Sequence, residues 1–357
     1  MSAPQRILIV RLGAMGDILH AMPAVVALRK AFPGSNFGWV VEKRWAELLR
    51  EAEESPRGDG SGPVDFVHVV DTRKWRRSLF SGSTRSETRH VLNSIRKIKY
   101  DLVIDFQGAV KSAVIAKLTE VPRRFGFAKP WEWPAAIAYT DKATTASIHV
   151  VDQNLDLASA TAREFKQEAL DRDASVGLPH DSSAEAKVCQ RLTSFGMSRF
   201  AILNPGAGWG AKQWPPDRYA AVARALGKDG VRSLINLGPG EESLAKTVED
   251  QAEGYAIAAQ FTISELIAVT RRASLFIGGD TGPLHLAAVL KIPVVALFGP
   301  TDPARTGPYG TRSIVLRDPS SITSHKRNRQ TEPGLMNITP EQVIAAAHEL
   351  LVQGARA

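Results

Sequence analysis

The chain has a single cysteine, Cys189, in 357 residues. That excludes a disulfide framework and leaves little room for a cysteine-ligated metal site. No uninterrupted apolar stretch approaches the ~18 residues of a membrane-spanning helix. The first apolar run is a strand of four residues, not the core of a secretory signal, so a cytosolic protein is expected. Zinc-finger spacings, an RNA-recognition signature and a solenoid-length repeat are also missing. Acids are scarce in one region. From Arg73 to Lys99, nine basic residues (Arg73, Lys74, Arg76, Arg77, Arg85, Arg89, Arg96, Lys97, Lys99) are accompanied by one acid, Glu87.

What is present suits a soluble globular chain: 44% hydrophobic and 23% charged residues, with length for two domains. Lys and Arg number 45 against 37 Asp and Glu, a net charge of +8. Such a balance suits anionic partners.

Strand-like and helix-like segments alternate throughout. Residues 7–10, 37–41, 66–70, 102–106 and 124–127 read as strands in the first half. Residues 200–203, 232–237, 256–259, 275–277, 294–297 and 313–316 do so in the second. Helices are predicted at 18–30, 217–226, 241–251, 264–273 and 340–353, with Thr262 and Glu265 as a capping box. This alternation implies parallel sheets covered on both faces. It weakens between residues 171 and 198, which places a boundary between domains at 1–175 and 185–335, followed by a C-terminal helix in 340–357. Residues 51–63 and 317–334 are polar loops. Two doubly wound α/β domains should face a cleft, with ligands beyond the carboxyl ends of strands.

Four post-strand loops carry chemistry. In the first, "RLGAMGDILH", Asp17 stands at the junction of a glycine turn and a helix. A carboxylate there would repel a pyrophosphate, so a different task is implied. The second, "LNPGAGWGAKQWP", offers Gly206, Gly208 and Gly210 for close backbone approach and Lys212 as a point charge for phosphate. It lacks the Walker spacing, and a glycine-rich turn with a surface lysine is the plain alternative. The third, "LGPGEES", puts Glu241 at a helix start, either as a dipole-favoured acid or as an acceptor for ribose hydroxyls. The fourth, "FIGGDTGPLHLA", starts a helix near Pro283, whose first N–H groups suit an anion, with Asp280 beside them as an N-cap or a sugar-hydroxyl acceptor.

These loops, in this order, resemble glycosyltransferase family 9, the ADP-heptose:lipopolysaccharide heptosyltransferases. "MGDILHAMPAV", "VIDFQGAVKSA", Lys212 with Trp214-Pro215, and "DTGPLHLAAVLKIPVVALFGPTDPARTGPYG" carry the resemblance over nearly the whole chain. "RKWRRSLF" at 73–80 is most similar to heptosyltransferase I. The resemblance implies a GT-B fold, inversion at the sugar, no metal and no cofactor, since the ADP-sugar is a substrate. It implies Asp17 as catalytic base, with Asp280 and Lys212 completing the catalytic set. Donor binding falls on Gly206, Gly208, Lys212, Glu241, Phe261, Asp280, Thr281 and Gly282. Acceptor binding falls on Gly16, Arg73, Arg76, Arg77, Gln107, Lys111 and Arg124. The N-terminal domain would bind the acceptor and the C-terminal domain the donor, with the final helix packing back on the N-terminal domain. Two departures stand out. Gly208 occupies a position that usually bears a hydroxyl, and "AKPWEWP" lacks an arginine near the acceptor, leaving Arg124 or Lys129 to replace it.

The expected partners are ADP-heptose, a Kdo-lipid A acceptor and the anionic cytoplasmic face of the inner membrane. Another ADP-heptose transferase, adding the second heptose or using a non-lipid acceptor, is the alternative within the family. A polyanion-binding α/β protein is the alternative outside it. Carboxylates at both glycine turns argue against nucleic acid. The one Asp-x-Asp, Asp171 to Asp173, lies in the polar boundary segment and is not read as a metal site. His20 and His285 read as structural or supporting groups, and Trp39 and Trp45 as core.

Overall fold

The computed structural model describes residues 3–50, 63–77, 81–167, 170–172, 175–324 and 326–354. The expectation for residues 51–62, Leu79, Phe80 and Asp173 lies outside them, as does the Arg76 side chain.

The chain divides into two compact units, Met1–Pro179 and His180–Ala357. The first holds six strands: β1 Arg6–Val10, β2 Asn36–Glu42, β3 Phe66–Val70, β4 Leu102–Asp105, β5 Arg123–Phe127 and β6 Asp141–Ala143. The second holds six more: β7 Phe200–Asn204, β8 Arg232–Leu237, β9 Ala256–Gln260, β10 Leu275–Gly279, β11 Val294–Phe298 and β12 Ser313–Arg317. The first sheet runs β3-β2-β1-β4-β5-β6 and the second β9-β8-β7-β10-β11-β12, every described pairing being parallel.

Counted within each unit, both orders are 3-2-1-4-5-6, the doubly wound pattern. The direction of winding reverses between the first and fourth strands, β1 and β4 in one unit, β7 and β10 in the other. A crevice for ligands opens there by topology alone. The central strands are apolar because helices cover both faces. Ile7, Leu8, Ile9 and Val10 are fully buried, as are Ala201, Ile202 and Leu203. Each Ile, Leu or Val side chain among them contributes ~1.5–3 kcal/mol by burial.

Helix Met15–Ala31 begins three residues before the predicted start, because Asp17 itself satisfies the first turn: its carboxylate accepts the Ala14 N–H at 2.9 Å. The short strand β6, Asp-Lys-Ala, escaped prediction because it has no apolar alternation. The capping box holds, with Thr262 and Glu265 exchanging hydrogen bonds of 3.1 and 3.2 Å. The C-terminal helix Pro340–Gly354 corrects an expectation. Its Val343, Ala346, Ala347, Leu350 and Leu351 join the core of the second unit with Trp214, Tyr219 and Leu275, so it packs on its own unit's sheet. Trp39 is core, but Trp45 is only partly buried and packs under Arg44, 4.6 Å from the ring centroid. Among the described residues no helix is long and apolar enough to cross a membrane.

Candidate active site

In the first unit the loops after β1 and β4 are laced together. Leu12 N–H donates to the Gln107 side-chain oxygen at 2.8 Å. The Arg11 guanidinium donates to the Phe106 carbonyl and pairs with Asp17 at 2.9 Å. Asp17 thus has one oxygen on Arg11 and the other on Ala14, yet its side chain is 45% exposed. Gly13 lets this loop lie against Trp45, since a Cβ there would sit 2.8 Å from the indole nitrogen. Gly16 is buried in the first helical turn.

Beneath the second of these loops lies Asp105, fully buried at the end of β4. It accepts from Gln107 N–H at 2.8 Å, Gly108 N–H at 3.3 Å, and the Ser112 and Tyr139 hydroxyls at 2.8 Å each. Burial pushes its carboxyl up, against the four donors. Sequence reasoning missed Asp105 as an organiser. The signal was available: an acid ending a buried strand before Gln-Gly has no solvent to satisfy it.

Four arginines of the basic run, Arg73, Arg85, Arg89 and Arg96, stand at a cavity of about 900 Å³ within this unit. Arg44, Arg73, Arg85, Arg89, Arg96 and Lys111 line it, with Glu42 as the only acid among the lining residues. Glu42 is spent on the Thr72 hydroxyl. Val91, Leu92, Ile95, Val114, Ile115 and Leu118 supply apolar lining. Burial and then the neighbouring Arg73 charge lower the Arg44 pKa, a sign of crowded positive charge. Of the predicted acceptor residues, Arg73 and Lys111 reach this cavity; Arg77 is exposed and not among its lining. Arg124 is placed elsewhere: its guanidinium donates to the carbonyls of Ala138, Val121 and Pro122, at 2.7, 2.7 and 3.3 Å. An arginine at a strand start was free to do either, and the adjacent turn claimed it.

In the second unit the loops after β7, β8 and β10 converge. Lys212 donates to the Asp280 carboxylate at 2.6 Å and to its carbonyl at 3.2 Å. Asp280 also meets His285 Nε2 at 3.1 Å. The three side chains are 11%, 9% and 6% exposed. Burial opposes ionisation of Asp280, but the hydrogen bond and charge of His285, with those of Lys212, outweigh it and hold the carboxyl well below its ordinary range. The Lys212 ammonium lies 4.5 Å from the Trp209 ring centroid, and Arg327 stands 5.7 Å from the same ring. An ammonium has three donors, and two are taken by Asp280, so one remains for a phosphate oxygen.

Glu241 is the N-cap residue of helix Glu242–Gln251 and accepts the Gly238 N–H at 2.7 Å. Its carboxylate fills the space over Gly206, where a Cβ would sit 2.1 Å from Oε2. Gly208 faces open space. Gly210 is crossed by the chain at Arg329, which explains part of the 317–334 loop: Ala211 N–H donates to Asn328 O at 3.0 Å, holding that segment against the glycine loop. Asn204, also missed in the sequence, is buried and donates to Gly206 O at 3.0 Å and Thr281 Oγ1 at 3.4 Å while accepting from Asn236 at 2.7 Å. Thr281 occupies the N-cap position of helix Gly282–Val289 without a side-chain cap hydrogen bond, and the first N–H groups of that helix lack intrahelical acceptors. Phe261 follows β9 with Arg191 stacked 4.5 Å over its ring. Among the described residues no group of three or more His, Cys, Asp or Glu is arranged to hold a metal ion.

The loops after β7, β8 and β10 therefore gather at the switch point of the second unit, and Asp17 lies at that of the first. The profile of glycosyltransferase family 9 (heptosyltransferase) matches residues 88–335. Lipopolysaccharide heptosyltransferase 1 of Escherichia coli O18:K1:H7 (strain RS218 / NMEC) is 28% identical over 325 residues, 89% of this chain and 93% of that protein. Among solved structures, a glycosyl transferase family 9 protein of Veillonella parvula DSM 2008 matches with a TM-score of 0.81 at 26% identity, covering 99% of both chains. An E. coli heptosyltransferase, WaaC, solved with ADP, matches with a TM-score of 0.77 at 27% identity, covering 97% of this chain and 99% of the other. The architecture is GT-B, and the chain belongs to glycosyltransferase family 9, the heptosyltransferases, as a glycosyl-transferring enzyme.

Proposed function

We propose that this enzyme transfers L-glycero-D-manno-heptose from its ADP derivative to a Kdo residue of Kdo-lipid A, in lipopolysaccharide inner-core synthesis, with inversion. The observation that carries the acceptor reading is the cavity in the first unit, with six cations and an apolar lining. Kdo brings carboxylates, lipid A brings phosphates and acyl chains, and Arg matches both anions through its fork of donors.

In the reaction an acceptor hydroxyl attacks the anomeric carbon as the bond to the ADP oxygen breaks. Asp17 takes the hydroxyl proton, a contribution typically worth ~10²–10⁴-fold. The electron pair leaves with ADP. The remaining donor of Lys212 and the N–H groups at Thr281–Gly282 meet the charge developing there. Asp280 orients the heptose hydroxyls, Glu241 the ribose, with Phe261 on the adenine side and Gly206 and Gly208 giving the phosphates access to backbone. No metal enters this scheme.

Incubation of the enzyme with ADP-heptose and a panel of acceptors, read by mass spectrometry, tests the proposal. A single heptose added to Kdo-lipid A supports it. Transfer only to an acceptor already bearing heptose assigns the enzyme to the second addition and overturns it.

A further inference from the structure

Helix Val110–Leu118 in the first unit has two working faces. Lys111, Val114, Ile115 and Leu118, at i, i+3, i+4 and i+7, line the cationic cavity. On another face, Ala113 packs with Ala135 and Tyr139 of the segment that follows β5. That segment presents Trp131, Trp133 and Ile137 to solvent at 69%, 74% and 72% exposure. Val110, Val114 and Leu118 of the helix are themselves 39%, 49% and 42% exposed. Three of the large apolar side chains left most exposed in the first unit thus stand within seven residues, mounted on the helix that forms the cavity wall.

The mounting is rigid. Glu132, between the two tryptophans, spends its carboxylate on the Val110 N–H at 2.6 Å. Glu132 N–H in turn donates to the Gly108 carbonyl at 2.9 Å. A Cβ on Gly108 would press 3.1 Å from Pro130, so the glycine admits the segment against the helix start.

We propose that Trp131, Trp133 and Ile137 form an anchor that seats the first unit on an anionic bilayer surface. Tryptophan is the residue that settles at the boundary between headgroups and acyl chains, where its ring is buried and its N–H stays wet. Isoleucine adds apolar area, and the cations of the adjoining cavity supply attraction to anionic headgroups. The anchor and the cavity share one helix. The inference shares only the cavity with the functional reading and needs no particular acceptor.

Sedimentation of the full chain with phosphatidylcholine vesicles, with and without phosphatidylglycerol, tests it. The wild type should bind the anionic vesicles, and the Trp131→Ser/Trp133→Ser/Ile137→Ser variant should lose about 10-fold or more of its partitioning while its melting temperature is kept. Ile322→Ser, which alters an equally exposed side chain of the second unit (75%), should bind as wild type. Equal binding by the triple variant overturns the proposal. So does absence of wild-type binding to either vesicle. A concentration-dependent dimer that the triple variant abolishes gives the face to a second copy and overturns it as well. Because no acceptor is present, the result is independent of whether Kdo-lipid A is the substrate.

Discussion

Lys212 and Asp280, sixty-eight residues apart, meet at 2.6 Å with both side chains about nine-tenths buried. The pair is mutually dependent: each charge is tolerable in that setting because the other is there. Replacing Asp280 by Asn should cost several kcal/mol, of the ~3–5 kcal/mol expected when one partner of a buried pair is removed. Lys212→Met should cost less once Asp280 is already Asn. Urea unfolding of the two single variants and the double variant checks this, and strictly additive losses would contradict it.

The same pair sets a pH dependence. The folded-state pKa of Asp280 lies below its unfolded value, so its carboxylate contributes stability above the unfolded pKa of ~3.9 and loses it as pH falls through the folded value. Below about pH 4 the wild type should therefore lose melting temperature more steeply than Asp280→Asn. Melting curves of both proteins from neutral to acid pH give the comparison; parallel curves would show that Asp280 carries no such stabilisation.

Gly206 and Gly208 look equivalent in sequence but differ in space. Gly206→Ala drives a methyl into the Glu241 carboxylate, whereas Gly208→Ala meets nothing within 4 Å. The first should weaken ADP binding by about 10-fold, or 1.4 kcal/mol, and the second, whose methyl displaces no protein group, should weaken it by less. Calorimetric titration with ADP distinguishes them, and equal affinities would remove Glu241 from the donor site.

The arginines divide in the same way. Arg85→Gln/Arg89→Gln, in the cavity, should raise the KM for the acceptor and leave the donor KM unchanged, and added salt should mimic the change because the Debye length is ~8 Å at physiological ionic strength. Arg124→Gln should lower the melting temperature instead, since three carbonyls lose their donor. Steady-state kinetics in both substrates checks the split; an acceptor defect confined to Arg124→Gln would reverse the assignment.

Much of this was legible before the fold was known. Apolar runs such as Ile7–Val10, bounded by turn residues and alternating with helical patterns, suit buried strands, and the glycine-bearing stretches after them suit turns entering helices, so eleven of the strands and the four loops could be read from the pattern. Pairing was not legible. Nothing local says that Lys212 ends on Asp280, that Gly206 makes room for Glu241, or that Arg124 spends itself on its own turn. Asp105 and Asn204 were hidden for a related reason: beside backbone groups of their own loops, they bond side chains remote in sequence, Tyr139 for the first and Asn236 and Thr281 for the second. The exposed tryptophans drew notice in the sequence only as part of "AKPWEWP", a segment without the arginine expected near the acceptor, because exposure is a property of the fold.

The account turns on Asp17, whose carboxylate holds Ala14 and Arg11 and is proposed to take the acceptor's proton. Asn is nearly isosteric and keeps an oxygen for the Ala14 N–H, so Asp17→Asn should fold and bind ADP as the wild type does. An amide cannot accept the hydroxyl proton, and turnover of ADP-heptose on the Kdo-lipid acceptor should fall by ~10² or more. The deciding measurement is that turnover, taken on one preparation alongside its melting temperature and ADP affinity. A stable, ADP-binding variant with turnover lowered by that factor is the result predicted; the same variant turning over at the wild-type rate would contradict the account and leave Asp17 as a cap alone.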